Sequence, residues 1–318
     1  MQNVAKTYVG VDVSKEHLDV YLYPQNKKLR VENSKSGLRK LNAKLNKLDV
    51  AKVMLEASGG YEHLAIVSLH ERYPVYRANP KRIRSFRDAK GTKAKNDPID
   101  ARIIAEFAAN DCSKNLPQVN IKDIHLKRLF HRKQALKTVT SSEKMRLEKE
   151  IDLEIRREIV SHIKNLEKRI KKYDEKINEI IKADKELSEK KTILESMPGI
   201  GNETAQGIIA ALPEAGNTDS PQLSSLTGLA PQTNESGQFV GRARINNGRR
   251  LPRRLLYMAA LTAVRFNPRL KEFYERLRKK GKPYKVAIVA VMRKMLTILN
   301  VMLNKNEMWK LKPEVNSF

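Results

Sequence analysis

Cysteine and tryptophan occur once each in the 318 residues, as Cys112 and Trp309, and aromatic residues of all kinds make up only 6%. A single cysteine excludes an internal disulfide and any cysteine-based zinc site, and it suits a reducing compartment. There is no stretch of about 18 uncharged apolar residues of the kind that spans a bilayer. The start, Met1-Gln2-Asn3-Val4-Ala5-Lys6, lacks the apolar core of a signal peptide. A soluble, cytoplasmic protein with no membrane partner is therefore expected. Acidic residues are also scarce, 36 against 63 Lys and Arg, which leaves a formal charge of +27. The cations run the whole length instead of forming a tail, and such an excess repels itself unless a polyanion is present. Nucleic acid is the leading partner and an anionic membrane surface the competitor. The length allows two or three domains and a sizeable core.

The first feature of note is Thr7-Tyr8-Val9-Gly10-Val11-Asp12-Val13-Ser14-Lys15, a β-branched run carrying one aspartate. It reads as a buried central strand, where an unpartnered carboxylate is costly, so a divalent cation is the economical reason for Asp12. Alternation through Leu18, Val20 and Leu22, then a turn at Pro24 to Lys28 into Leu29 to Asn33, predicts a meander of adjacent strands. A leucine stripe between Ser36 and Leu48 predicts a helix, and Lys52-Val53-Met54-Leu55-Glu56-Ala57 a second buried strand that also ends in a carboxylate. Ser58-Gly59-Gly60-Tyr61 allows a sharp turn before a helix from about Glu62 to Arg72, and Tyr73 to Arg77 makes another strand. This order resembles an α/β RNase H-like (RuvC-like) fold, in which acids at strand ends hold divalent metal.

Asn79 to Asp100 is basic, with Lys81, Arg82, Arg84, Arg87, Lys93 and Lys95, and reads as a loop able to track a phosphate backbone. Asn96-Asp97-Pro98-Ile99-Asp100 then opens a helix. Asp97 as N-cap, Pro98 at the first helical position and Asp100 in the first turn satisfy helix grammar. Residues three apart also share a helix face, so both acids are able to point at one metal centre, and the two roles are compatible.

From about Ile121 to Lys190 the chain is charged and helical. Ile159, Ile163, Leu166, Ile170, Tyr173, Ile177 and Ile180 alternate steps of four and three, the seam of a coiled coil. Pairing with Leu126 to Leu147 in a hairpin and joining of two chains both satisfy it. Pro198-Gly199-Ile200-Gly201 before a helix resembles a helix-hairpin-helix element, whose Gly199 and Gly201 expose backbone N–H groups to phosphate. Further on, Ser236-Gly237 lies in a polar loop followed by Arg242, Arg244, Arg249, Arg250, Arg253 and Arg254, the composition of a phosphate-reactive site with a hydroxyl, flexible backbone and fixed cations, while a plain turn residue is the alternative for the serine. Leu251 to Val264 and Lys285 to Leu303 are helical with one apolar face.

Taken together these stretches resemble the DEDD-type transposases of the IS110 insertion-sequence family, recombinases guided by a bridge RNA. The likeness spans Gly10 to Lys15, Leu55 to Gly59, Lys95 to Ala101, Pro198 to Gly201, Leu229-Ala230-Pro231 with Ser236-Gly237, Arg249 to Ala260, and Lys282 to Leu299. It implies three regions: a RuvC-like metal-binding catalytic domain over 1–118, a helical coiled-coil oligomerisation region over 119–192, and a mainly α-helical C-terminal transposase domain over 193–318. It further implies that Asp12, Glu56, Asp97 and Asp100 bind Mg²⁺ and that Ser236 is a nucleophile forming a phosphoserine link to DNA. Donor and target DNA, a structured noncoding guide RNA and a homo-oligomer, dimer or tetramer, are the implied partners, in the bacterial cytoplasm at the nucleoid.

Two other classes share parts of this pattern. An RNase H-like nuclease or junction resolvase would use metal-activated water and leave Ser236 as a loop residue. A non-enzymatic basic scaffold would reduce the four acids to caps and surface charges, which Asp12 and Glu56, at strand ends, do not fit.

Overall fold

A computed structural model describes residues 6–91, 97–110, 113, 116–232, 235–236, 239–240 and 244–310, with backbone only for 97–99, 232, 235–236 and 239–240. Lys93, Lys95 and Arg242, read above as phosphate contacts, lie outside the described residues. The chain divides into two compact units, Met1–Ile121 and Lys122–Phe318.

In the first unit β1 (Thr7–Val13), β2 (His17–Tyr23) and β3 (Lys27–Glu32) form an antiparallel meander. Helix α1 (Lys35–Leu45) starts at Ser34, whose side chain accepts from the Gly37 N–H, and buries Leu38, Leu41 and Leu45. This crossover returns β4 (Val50–Glu56) parallel to β1, and α2 (His63–Leu69) then delivers β5 (Val75–Ala78) parallel to β4. The sheet order is β3-β2-β1-β4-β5, so β1 is central, as its apolar run requires.

The basic stretch after β5 is not a loop throughout. Residues Pro80–Ala89 form α3, because Asn79 accepts from the Lys81 N–H, Pro80 sits in the first turn, and Ile83 turns into the core while Phe86 meets Phe107 edge-on at 5.4 Å. Helix α4 (Asp97–Ala109) then covers one face of the sheet, lying against β1, β2 and β4.

The second unit is mostly helical: α5 (Ile121–Lys149), α6 (Leu153–Ala183), α7 (Lys185–Glu195), α8 (Asn202–Ala211), α9 (Ser220–Thr227), α10 (Arg250–Phe266), α11 (Pro268–Lys279) and α12 (Tyr284–Lys305). Four two-residue strands precede α10: β6 (Pro231–Gln232), β7 (Glu235–Ser236), β8 (Phe239–Val240) and β9 (Arg244–Ile245). Pairs Lys122–Asp184, Lys133–Asp174 and Lys144–Glu167, at 2.7 to 3.0 Å, run in opposite sequence order along α5 and α6, which defines an antiparallel hairpin within one chain. The isoleucine seam is buried at Ile163, Leu166 and Ile177 and half-buried at Ile159, Ile170, Tyr173 and Ile180.

Lys133 crosses that hairpin fully buried, bonded to Asp174 at 2.8 Å, Glu203 at 2.9 Å and Gln206 at 2.5 Å, with the Phe130 ring 5.0 Å away. Helix α12 is long and apolar enough, by composition, to cross a bilayer. Here it serves as a core helix, burying Ile288, Val291, Met295, Leu296 and Leu299 against the other helices.

Candidate active site

The acids gather through strand parity. Successive side chains on a strand point to opposite faces, so Gly10 and Asp12 share one face of β1. That face belongs to α4: a Cβ on Gly10 would lie 2.3 Å from the Ala101 carbonyl oxygen and the Ala105 nitrogen. The pairing register extends the row outward, with Asp12 opposite Asp19 on β2 and Asp19 opposite Arg30 on β3. On the other side, one step beyond the Val11–Leu55 pair, stands Glu56 at the end of β4. Asp12, Asp19 and Glu56 are half-buried. Arg30 grips Asp19 with two bonds of 2.8 Å from Nε and Nη2. In sequence Asp19 is simply the polar alternate between Leu18 and Val20; the register makes it the immediate neighbour of Asp12.

Helix α4 supplies the rest of this edge. Just past its C-terminal end Ser113 Oγ accepts from Lys52 Nζ at 2.8 Å, near the start of β4, so the helix runs against β4. Its first turn, with Asp97 and Asp100, therefore stands over the edge where β1 and β4 finish. Asp100 is half-buried and faces Arg87 Nη1 of α3 at 3.5 Å. Among the described residues no three His, Cys, Asp or Glu are grouped tightly enough to hold a metal ion; the Asp97 side chain lies outside that description.

The turn after Glu56 is fixed by a carboxylate that the sequence suggested only as the start of a helix. Glu62 is 2% exposed, and its Oε2 accepts from Gly60 N at 2.7 Å, Ser58 Oγ at 3.0 Å and Ser58 N at 3.3 Å, while Arg77 approaches Oε1 at 3.5 Å. Gly59 and Gly60 take φ of +74° and +120°, which side chains disfavour. Burial pushes the Glu62 carboxyl up, but the hydrogen bonds from Gly60 and Ser58 outweigh it and hold the group below its ordinary range.

Ser236 belongs to the second unit. It lies in β7, paired with Phe239 of β8, instead of in an unstructured loop; its side chain lies outside the described residues. The segment that carries it is closed at its base by Pro231–Ile245 and Gln232–Arg244 pairing. Below that, Gly228 (φ +66°) and Gly248 (φ +70°) touch backbone to backbone, and a Cβ on Gly248 would lie 2.1 Å from the Gly228 nitrogen. Arg253 Nη1 donates to the Asn247 carbonyl at 2.8 Å across the same joint. Two separated glycines meeting in this way carry no local sequence signal.

The expected phosphate contacts differ in exposure. Lys81, Arg82 and Arg84 on α3, Arg244 on β9 and Arg250 at the start of α10 are exposed. Arg249, by contrast, is bidentate on Glu214 at 2.7 and 2.5 Å and also reaches the Ala211 carbonyl, so it anchors the entry to α10. Gly199 (φ +106°) is demanded by packing: a Cβ there would stand 2.7 Å from the Ala263 side chain. Gly201 precedes α8 with open space around it. The first turn of α8 already holds Glu203, which pairs with Lys133 and Lys137.

Two family models match the chain. A DEDD-type transposase model of the IS110 group covers residues 9–153, and one described as the transposase IS116/IS110/IS902 family covers 191–275. The pilin gene-inverting protein of Moraxella bovis is 26% identical over 320 residues, which span 95% of this chain and 97% of that protein. An uncharacterized 42 kDa protein of insertion element IS900 from Mycobacterium paratuberculosis is 33% identical over 122 residues, 37% of this chain and 30% of the relative. An uncharacterized 43.6 kDa protein of insertion element IS110 from Streptomyces coelicolor is 29% identical over 113 residues, 35% and 28% of the two. With two models of the family matched over 9–153 and 191–275 and a relative aligned end to end, the chain belongs to the IS110 family of transposases and is a DNA transposase/recombinase.

Proposed function

We propose that the chain cuts and rejoins DNA at sites chosen by a guide RNA, through a covalent phosphoserine intermediate that depends on Mg²⁺. The observation that carries this is the placement of Asp12 and Glu56 at adjoining strand ends on the face covered by α4, whose first turn contributes Asp97 and Asp100. An oxygen-only donor set, half-buried at Asp12, Glu56 and Asp100, suits a hard divalent cation. Asp12, Glu56, Asp97 and Asp100 would hold it, with Asp100 exchanging its pairing to Arg87 for the metal. When bound, Mg²⁺ supplies charge neutralisation of the scissile phosphate and of the leaving oxygen.

Ser236 Oγ attacks phosphorus, the P–O bond to the adjoining nucleoside breaks, and that nucleoside leaves with a free hydroxyl. The serine ester keeps the bond energy, so rejoining to another strand needs no external energy source. End-to-end likeness to proteins named for inverting pilin genes supports rejoining over simple hydrolysis. The three regions, 1–118 for metal and catalysis, 119–192 for assembly and 193–318 for the nucleophile, follow the same reading. So does a dimer or tetramer in which acids and serine come from different protomers. Guide RNA pairing with donor and target DNA would carry sequence choice, leaving the protein to read backbone and shape, in keeping with a charge of +27 and 6% aromatic residues. A cytoplasmic, nucleoid-associated location fits that substrate.

The test is a denaturing gel of the purified chain with DNA, RNA and Mg²⁺. Wild type should give a protein–DNA adduct, Ser236→Ala none, and Asp12→Ala neither adduct nor cleavage. Free DNA ends without adduct in wild type would identify a hydrolase using metal-activated water instead. Recombination of defined sites by an RNA-free preparation would remove the guide.

A further inference from the structure

Outside the acid edge and the serine segment, the strongest unassigned feature is the turn between α11 and α12. From Arg276 to Lys285 every charged residue is a cation, and every one is exposed. The last turn of α11 explains Arg276, Arg278 and Lys279, because cations are favourable at a helix C-terminus. It does not explain Lys280, Lys282 and Lys285. Lys285 lies in the first turn of α12, where the helix dipole is positive and a cation is unfavourable. That turn contains no acid, and the capping position, Pro283, gives no side-chain cap. Bare N–H groups and lysines together at one point are a standing demand for an anion.

The turn is also built. Gly281 takes φ of +73°, and Arg278 Nη1 donates to the Lys282 carbonyl at 2.7 Å, which ties the backbone of the turn to α11. An aromatic ring stands beside them: Tyr284 is 45% exposed and is braced edge-on by Tyr274, centroids 6.4 Å apart and planes at 83°. Tyr257 and Arg265 of α10 lie within electrostatic reach of it. Phe266, next to Arg265, is 69% exposed. Neither α10 nor α12 contains a single Asp or Glu. Exposed cations beside a braced, partly exposed ring match a single-stranded polynucleotide, whose phosphates meet the lysines while an unpaired base stacks. A duplex hides its base faces and offers the ring nothing.

We propose that the α11–α12 turn binds single-stranded nucleic acid, RNA or DNA, with phosphates on Lys280, Lys282 and Lys285 and one unpaired base on Tyr284. The proposal rests on the reading of the chain as a nucleic-acid enzyme, but its test is independent of catalysis. Full-length protein is titrated with a labelled single-stranded oligonucleotide, as RNA and as DNA, and with the matching duplex. Tyr284→Ala should weaken the preferred single strand about tenfold and leave the duplex unchanged, while Tyr284→Phe retains affinity. The triple change Lys280→Gln, Lys282→Gln and Lys285→Gln should lower the slope of affinity against salt by about two. Wild type that binds none of the three ligands would sink the nucleic-acid reading itself. Wild type that binds while all these variants bind equally well would overturn this site alone. So would variants that change the oligomeric mass without changing affinity, which would make the face a protein contact.

Discussion

Glu62 shows how a single side chain can decide the shape of a site it does not enter. Three hydrogen bonds from residues 58 and 60 converge on one of its oxygens, and they exist only while the turn after Glu56 holds its conformation. Glu62→Gln keeps the volume but removes the charge and half the acceptor capacity, so a loss of about 1–3 kcal/mol is expected. The pH dependence has a definite sign. The folded carboxyl titrates below its ordinary value, so it contributes stability above the unfolded pKa and loses it as pH falls through the folded one. The stability gap between wild type and Glu62→Gln, measured by denaturant titration, should be full at neutral pH and shrink below about pH 4. A gap that is constant with pH would mean that the charge has no part in it. Asp12 and Glu56 were legible from sequence because an acid ending an apolar run is locally anomalous. Glu62 and Asp19 were not, since one looks like an ordinary helix start and the other like ordinary strand alternation.

Among elements, the five strands of the first unit and the long helices followed from apolar spacing, and so did the break around Pro198; the short strands β6 to β9, read as a polar loop, did not. Helix α3 did not, because its composition is rich in lysine and arginine and the only apolar side chains on its inner face are Ile83 and Phe86. Helix α9 was hidden in a Ser/Thr/Gly-rich stretch, though Asp219 caps it, Pro221 lies in its first turn and Gly228 ends it left-handed. Neither could the α5–α6 hairpin be told from a two-chain coil, since one apolar stripe serves both. What selects the hairpin is Lys133, and its partners stand 41 and 73 residues away, beyond any local pattern. Burial raises and the Lys133 bond lowers the Asp174 carboxyl, with a net fall; for Glu203 burial likewise opposes its bonds to Lys137 and Lys133, and the net is again a fall. Lys133→Met leaves both acids without that cation. A third of each side chain remains exposed, so water recovers part of the loss. The cost should come to about 2 kcal/mol, below that of a fully buried broken pair. A melting temperature unchanged from wild type would show that the network gives specificity without stability.

At the scale of the whole molecule, each unit has a hydrophobic core of its own. Met54, Ile104 and Phe107 centre the one, and Phe130, Leu256 and Leu296 the other. Separate cores predict separate cooperative transitions, and the scarcity of tryptophan makes this measurable. Trp309 is the chain's only tryptophan; it packs against the core of the second unit, with its backbone N–H bonded to Ser196 Oγ at 2.8 Å. Its fluorescence therefore follows one unit, while circular dichroism follows both. Gly10→Ala places a methyl group against backbone atoms of α4 that have no side chain to move aside, so α4 must lift from the sheet at a cost of about 3 kcal/mol. The dichroism transition of the first unit should then move to lower denaturant, with the Trp309 transition unmoved. On the proposed reading of these acids as a metal site, metal affinity should fall as well, because the first turn of α4 rises away from Asp12 and Glu56. If Trp309 follows Gly10→Ala downward, the two units unfold as one cooperative block and the separation of their cores is not energetic. If neither signal moves, α4 does not depend on its contact with Gly10, and the route by which Asp97 and Asp100 reach the acid edge has to be sought elsewhere.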